Sequence, residues 1–306
     1  MKHLKAGRYE MAYQKVFKRY ELKFIITKSQ QAKILQAMEP YMEPDHFGRS
    51  TVRNIYFDTD DYILARHSIA RPDFKEKLRI RSYSQADPES TVFVELKRKY
   101  DHVVYKRRVP MAETDAMNWT RGLTRAETGS SQNADTGSQM HSEIDYFLSY
   151  YKNLQPAVFL TYDRQAYKMR DAVCDDHSGA ALAGKDFRVT FDENILCRDY
   201  DISLTSDVYG VPVLEEGKVL MELKCLGGIP LWMTQVLSEE KIYKTSFSKY
   251  GTAYSRYIQP EIATEKRRTE QWTLYSQIYS AHRQQELSAW HNSSWRQAQH
   301  FCSDWS

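Results

Sequence analysis

Apolar and polar residues alternate with a period of two in several separated stretches, and this alternation predicts most of the regular structure. In the stretch from Phe17 to Ile26, Tyr20, Leu22 and Phe24 alternate with Arg19, Glu21 and Lys23, as the two faces of a strand do. The same pattern marks Thr51 to Asp58, Lys75 to Tyr83 and Thr91 to Tyr100, then Val103 to Met111 after a turn at Asp101-His102. Further on it marks Ala157 to Tyr167, Phe187 to Leu196 and Val219 to Leu226, which makes eight expected strands. A spacing of three and four predicts helices from Ser29 to Met42, with Ser29 as cap, and around Ile144 to Leu154 ahead of Pro156. Pro230 suits the first turn of a helix reaching about Tyr243, and Ser246 is the expected cap of another carrying Phe247, Tyr250, Tyr254 and Tyr257.

Between these elements, the Gly/Ser/Thr/Asn-rich stretch at about 121–142 and the segment 173–185 read as flexible loops. Residues 1–260 are therefore expected to form one domain. Residues 261–306, rich in Gln, Ser, Trp and Arg, form a C-terminal extension, partly helical around Glu265 to His282 or disordered.

Composition narrows the class. The 306 residues are 42% hydrophobic and 27% charged, with a mean hydropathy of −0.67, the profile of a water-facing globular chain. The sequence holds no apolar run of membrane-spanning length and no apolar run after Met1, so a cytoplasmic protein is expected. Cys174, Cys197, Cys225 and Cys302 lack zinc-ligand spacing and read as free thiols. The 22 tyrosines favour strands. No nucleotide-loop, kinase or hydrolase motif occurs.

The net charge is only +3, so the placement of the charges matters more than their sum. One face of each strand carries charge: Glu21 and Lys23; Arg79 and Arg81; Glu95, Lys97 and Lys99; Lys106 and Arg108; Arg164; Arg188 and Asp192; Glu222 and Lys224. Any one of these strands also fits an ordinary antiparallel sheet with one face in water. Together they would set many like charges side by side, which destabilises a sheet unless a polyanion occupies that face. The expected fold is thus α+β and mainly antiparallel β, an eight-stranded closed barrel with a basic lumen and helices over its apolar exterior. Phosphate oxygens suit such a lumen, and its carboxylates Glu21, Glu95, Asp192 and Glu222 could ligate Mg2+ or Mn2+. Asp192 could equally pair with Arg188, four residues away on the same face.

The runs RYELKF (Arg19 to Phe24), KLRIRS (Lys77 to Ser82), VELKRK (Val94 to Lys99), YDR (Tyr162 to Arg164), RVTFDENI (Arg188 to Ile195), MELK (Met221 to Lys224) and FSKY (Phe247 to Tyr250) resemble the VTC domain. This is the catalytic domain of a polyphosphate polymerase within the triphosphate tunnel metalloenzymes. The resemblance implies that Lys23, Arg79, Arg81, Lys97, Lys106, Arg164 and Arg188 line a tunnel, joined on the same charged faces by Arg108 and Lys224. It places Glu222 at the metal, with Glu21 and Glu95 as further candidate ligands, and Ser248 and Lys249 at a tunnel mouth. Lys23, Arg79, Arg81 and Lys249 are the expected catalytic residues. The wider superfamily begins with E-x-E-x-K, where this chain has Arg19, Glu21 and Lys23, and the missing carboxylate favours a polymerase over a two-metal hydrolase. The implied activity is transfer of the ATP γ-phosphate to a growing polyphosphate chain with Mn2+ or Mg2+. Hydrolysis of a triphosphate, polyphosphate or nucleotide, and non-catalytic sensing of polyphosphate, are the alternatives. ATP and polyphosphate are the expected partners, and the resemblance to a transporter-associated domain suggests a separate membrane-protein partner; nucleic acid is not expected.

Overall fold

The computed structural model describes residues 20–70, 72–100, 103–123, 134–170, 187–226, 228–271 and 273. Arg19, the 101–102 turn, the 173–185 segment, Cys174, Cys302 and the tryptophans beyond Trp232 lie outside them. The chain divides into two units, Met1–Ala253 and Tyr254–Ser306. The first carries strands β1 (Tyr20–Thr27), β2 (Met42–Asp58), β3 (Phe74–Ser82), β4 (Thr91–Tyr100), β5 (Val103–Ala112), β6 (Gln155–Met169), β7 (Arg188–Arg198), β8 (Val211–Pro212) and β9 (Lys218–Cys225). Its helices are α1 (Lys28–Met38), α2 (Ile63–Ala70), α3 (Glu113–Thr120), α4 (Ala134–Tyr150), α5 (Leu231–Glu239) and α6 (Lys249–Ala253). In the second unit a π-helical turn, Tyr254–Ile258, leads into helical residues 259–271, all exposed.

The strands form one antiparallel sheet in the order β1-β9-β7-β6-β2-β3-β4-β5, with β8 paired to β7. The expected closed eight-stranded barrel is not what forms: β1 and β5 end the sheet and do not pair with each other. One position on the outer edge of β1 is taken by another segment: the Thr245 N–H donates to the Lys23 carbonyl at 2.7 Å and the two residues form an isolated antiparallel bridge. The α+β, sheet-dominated class holds; the closure does not.

The apolar strand faces point outward and are covered in two patches. Phe24, Ile26, Phe191, Met221 and Leu223 pack under Ile34 and Met38 of α1 and Met233 and Val236 of α5. Ile55, Phe57, Leu78, Ile80, Val92, Val94 and Leu96 pack under Leu64, Trp119, Ile144 and Phe147 from α2, α3 and α4. Burying each such side chain contributes about 1.5–3 kcal/mol, so the helices fix which strand face is left for the polar residues. The Trp119 indole N–H donates to Asp145 at 2.7 Å, which ties α3 to α4.

Local boundaries depart from the pattern where side chains intervene. Thr27, not Ser29, caps α1, in a reciprocal pair with Gln30. Ser248, not Ser246, caps α6, accepting from the Gly251 N–H at 3.1 Å. Strand β2 begins at Met42, the last residue of the expected first helix, with Pro44 opposite Tyr167 and a register shift before Arg49. Helix α4 begins at Ala134, inside the stretch expected as a loop. Helices α2 and α3 occupy stretches where no element was expected, each only eight residues long. Cys197 and Cys225 are thiols outside any disulfide, as expected, and both are buried. Among the described residues no helix is long and apolar enough to cross a membrane.

Candidate functional site

The concave face of the sheet gathers the charged strand positions into two clusters. In the first, Glu222 of β9 and Asp192 of β7 are both buried. The Arg164 guanidinium grips Asp192 with two bonds of 2.6 and 2.7 Å and reaches Glu222 at 3.4 Å. Lys249 Nζ bridges the same carboxylates at 2.5 Å and 3.3 Å. Lys23 and Lys224 complete the set around Glu222 at 3.5 and 3.6 Å. Burial pushes the Glu222 carboxyl up, but Lys249, Lys23, Arg164 and Lys224 outweigh it and hold it well below the usual carboxylate range. Burial likewise works against the Asp192 anion, and Arg164 and Lys249 keep it ionised. For Lys224 burial wins, taking its ammonium down to about 8 although Glu222 opposes it.

The second cluster centres on Glu95 of β4, only 1% exposed. Arg79 donates to it at 2.8 Å, Lys106 lies 2.7 Å away, and Arg108 and Arg81 stand at 3.6 and 3.8 Å. Burial favours the neutral acid, yet Arg79, Arg81 and Lys106 drive the Glu95 carboxyl far below its ordinary value. The two clusters hold eight cations against three carboxylates. Such a surplus on a half-enclosed face is the electrostatic complement of a polyanion.

The remaining expected residues lie around these clusters. Glu21 pairs with Lys23 and Lys97, each at 3.5 Å; its burial is outweighed first by Lys97, which takes the carboxyl down to about 2. Arg188 is exposed and forms no ion pair among the described residues, so the alternative pairing with Asp192 is not made; Asp192 is held by Arg164 and Lys249 instead. Arg188 lies directly across from Lys224 and Lys168, a basic row at one end of the trough. Ser248 Oγ accepts from Lys77 Nζ at 2.8 Å as well as from Gly251.

Several residues that the charge pattern did not single out aim the arginines. Asn54 Oδ1 accepts from Arg81 at 2.9 Å, Tyr162 Oη from Arg81 at 3.0 Å and Tyr56 Oη from Arg79 at 2.9 Å. The Tyr162 ring lies 4.6 Å from Lys249 Nζ, within cation–π reach. Tyr250 stacks on Tyr56 at 4.7 Å and donates to Asp58 at 2.5 Å, while Asp58 accepts the Leu64 and Ala65 N–H groups. These contacts dock the Ser248–Lys249 segment on β2 and α2. The signal for Asn54, Tyr56 and Asp58 was available in the period of two along β2, which sets them on one face.

No group of three or more His, Cys, Asp or Glu side chains able to hold a metal occurs among the described residues. Each Glu222 oxygen faces two cationic side chains. With Glu222 already compensated in this way, a divalent cation would reach it only together with phosphate oxygens that neutralise those side chains, as Mg2+ commonly binds one or two carboxylates plus substrate phosphates, and not in a cage built by the protein alone.

Among solved structures, a Bacillus halodurans protein provisionally assigned as an adenylate cyclase is similar over 74% of this chain and 92% of its own, at 14% identity and a TM-score of 0.40. A Hippeastrum protein assigned as an adenylyl cyclase and described as having a dominant triphosphatase activity is similar over 77% and 94%, at 16% identity and a TM-score of 0.39. A search of curated proteins returns no match. The VTC domain, by contrast, matches residues 18–258, from the start of β1 through the segment carrying Ser248 and Lys249. Since that match takes in every strand and both charge clusters, the chain belongs to the VTC-domain family.

Proposed function

We propose that the protein is a polyphosphate polymerase that uses a nucleoside triphosphate and a divalent metal. The observation that carries this reading is the excess of cations over carboxylates, continued as a basic track beyond the two clusters. Along β3, Arg81, Arg79, Lys77 and Lys75 share the concave face, and at about 3.3 Å per residue they span roughly 20 Å. Lys97 and Lys99 of β4 lie directly opposite Lys77 and Lys75. A track of that reach suits a phosphate chain longer than a single triphosphate.

Phosphoryl transfer depends on alignment and charge neutralisation more than on a protein nucleophile. Arg79 and Arg81, aimed by Tyr56, Asn54 and Tyr162, would clamp the triphosphate together with Arg164, Lys97 and Arg188. Lys249 and Lys23, which share Glu222, would orient the acceptor phosphate and the leaving group. Mg2+ or Mn2+ held at Glu222 would neutralise charge developing on the phosphate oxygens. A terminal oxygen of the polyphosphate attacks the γ-phosphorus, the new P–O bond forms, the β–γ bridging P–O bond breaks, and ADP departs with the electron pair.

The test is incubation with ATP and Mn2+, with products resolved on a gel stained for polyphosphate and assayed for ADP and free phosphate. Long chains with matching ADP, both lost in Glu222→Gln, are expected. Free phosphate without chains would make the protein a hydrolase, and tight tripolyphosphate binding without turnover would make it a sensor.

A further inference from the structure

Three lysines stand directly opposite one another across adjacent strands, Lys77 of β3 against Lys97 of β4 and Lys97 against Lys106 of β5. Three like charges in register are unfavourable unless each is compensated. Lys106 has Glu95 at 2.7 Å and Lys97 has Glu21 at 3.5 Å. Lys77 pairs with no carboxylate among the described residues; its Nζ donates to Ser248 Oγ at 2.8 Å and lies 5.9 Å from the Tyr250 ring centre. The charged groups that act on it most strongly are Lys23 of β1, Lys97 of β4, and Lys75 and Arg79 of its own strand.

We propose that Lys77, in register with Lys97 and Lys106 and facing no carboxylate among the described residues, is a phosphate-chain ligand that takes up a proton from solvent when a polyphosphate or nucleoside triphosphate arrives. The inference rests on the polyanion reading of the trough given above. Burial first, and then Lys23, Lys97, Lys75 and Arg79, hold the Lys77 ammonium well below the usual lysine range in the ligand-free protein. An anion laid along β3 reverses the sign of that local field. The amine then binds one proton, becomes an ammonium and donates to phosphate oxygens. Ser248 is suited to follow, because Lys77 and Gly251 occupy both lone pairs of its hydroxyl and leave its own proton for an acceptor in the trough. The two residues thereby report occupancy to each other across the gap between β3 and α6.

Because the complex holds more of the Lys77 proton than the free protein, affinity falls as pH rises between the two Lys77 titrations, by up to about tenfold per pH unit. The experiment is calorimetric titration of the full chain, without metal, by sodium tripolyphosphate at about pH 8 in buffers of different ionisation enthalpy. The wild type should take up as much as about one proton more per bound tripolyphosphate than Lys77→Arg, whose guanidinium is always charged. Lys77→Met should bind more weakly and show no extra uptake. It should be at least as stable as the wild type, since it removes an amine whose charged form burial and its like-charged neighbours disfavour. Equal proton uptake by the wild type and Lys77→Arg, or undiminished affinity in Lys77→Met, would overturn the proposal. An absence of tripolyphosphate binding by the wild type would instead defeat the polyanion reading itself, and the role of Lys77 with it.

Discussion

Glu95→Gln isolates the electrostatic problem that the trough poses. The substitution keeps the shape of the side chain and removes one negative charge from the midst of Arg79, Arg81, Lys106 and Arg108, at a position 1% exposed. Breaking a buried ion pair by deleting one partner costs about 3–5 kcal/mol, because the other charges remain without compensation. The retained amide oxygen still accepts one hydrogen bond, so about 3 kcal/mol is the reasonable expectation. For a domain of this size, 1 kcal/mol corresponds to roughly 2–4 °C, so the midpoint of thermal unfolding should fall by roughly 6–12 °C. The second half of the prediction gives it specificity. A polyanion takes over the missing neutralisation, so tripolyphosphate should raise the melting temperature of the variant by more than that of the wild type, measured by differential scanning fluorimetry over a concentration series. At a hundredfold excess over Kd the anion contributes about 2.7 kcal/mol by mass action alone, and the variant should gain beyond that through tighter binding. A variant that melts with the wild type, or that gains no more from tripolyphosphate, would refute the assignment of Glu95 as the internal counter-ion.

Three further outcomes follow from the geometry. Replacing Arg79 and Arg81 together by Ala should weaken tripolyphosphate binding by at least about tenfold and flatten its salt dependence, and an unchanged affinity would place both outside the phosphate path. Glu21 titrates at about 2 in the fold against an ordinary 4.5, so it stabilises the protein above pH 4.5 by an amount of order 3 kcal/mol, lost as the pH falls from there towards 2. Urea midpoints of wild type and Glu21→Gln should therefore converge through that acid window, and parallel curves would remove Glu21 from the ion-pair set. Gly210 has a φ of +142°, and an added Cβ would lie 2.4 Å from the Cys197 carbonyl oxygen, so Gly210→Ala should destabilise by more than about 2 kcal/mol in urea melts while a neutral substitution would contradict the backbone assignment.

The sequence carried the strands well because each has one apolar and one charged face, and the inside-out arrangement followed from the charged faces being too numerous to lie open together. The stretches 63–70 and 113–120 were illegible as helices because eight residues give a weak periodic signal, and their stability comes from Leu64 and Trp119 packing on the sheet. The early start of β2 was hidden for a related reason: a proline such as Pro44 can follow a helix or sit at an irregular strand position, and only the pairing with Tyr167 decides between them. In the site, charge made the arginines and lysines visible. Tyr56, Tyr162 and Asn54 carry no charge, and their importance depends on hydroxyl and amide groups meeting guanidinium groups from another strand, which no local pattern encodes. Closure was illegible as well, since it depends on which segments far apart in sequence meet at the strand edges, as Thr245 meets Lys23 through backbone atoms.

The unpaired boundary between β1 and β5 bears on how a polymer could be handled. A ring of hydrogen-bonded strands is a topological enclosure, through which a long chain passes only end first and from which it escapes only by sliding out. Beside that boundary the Glu21–Lys97 pair links β1 to β4 through side chains alone, and such pairs exchange partners far faster than a sheet breaks. A phosphate chain could then be laid into the trough sideways and lifted out the same way. Retention of a growing product would rest on charge, and dilution into high salt would release it at any length.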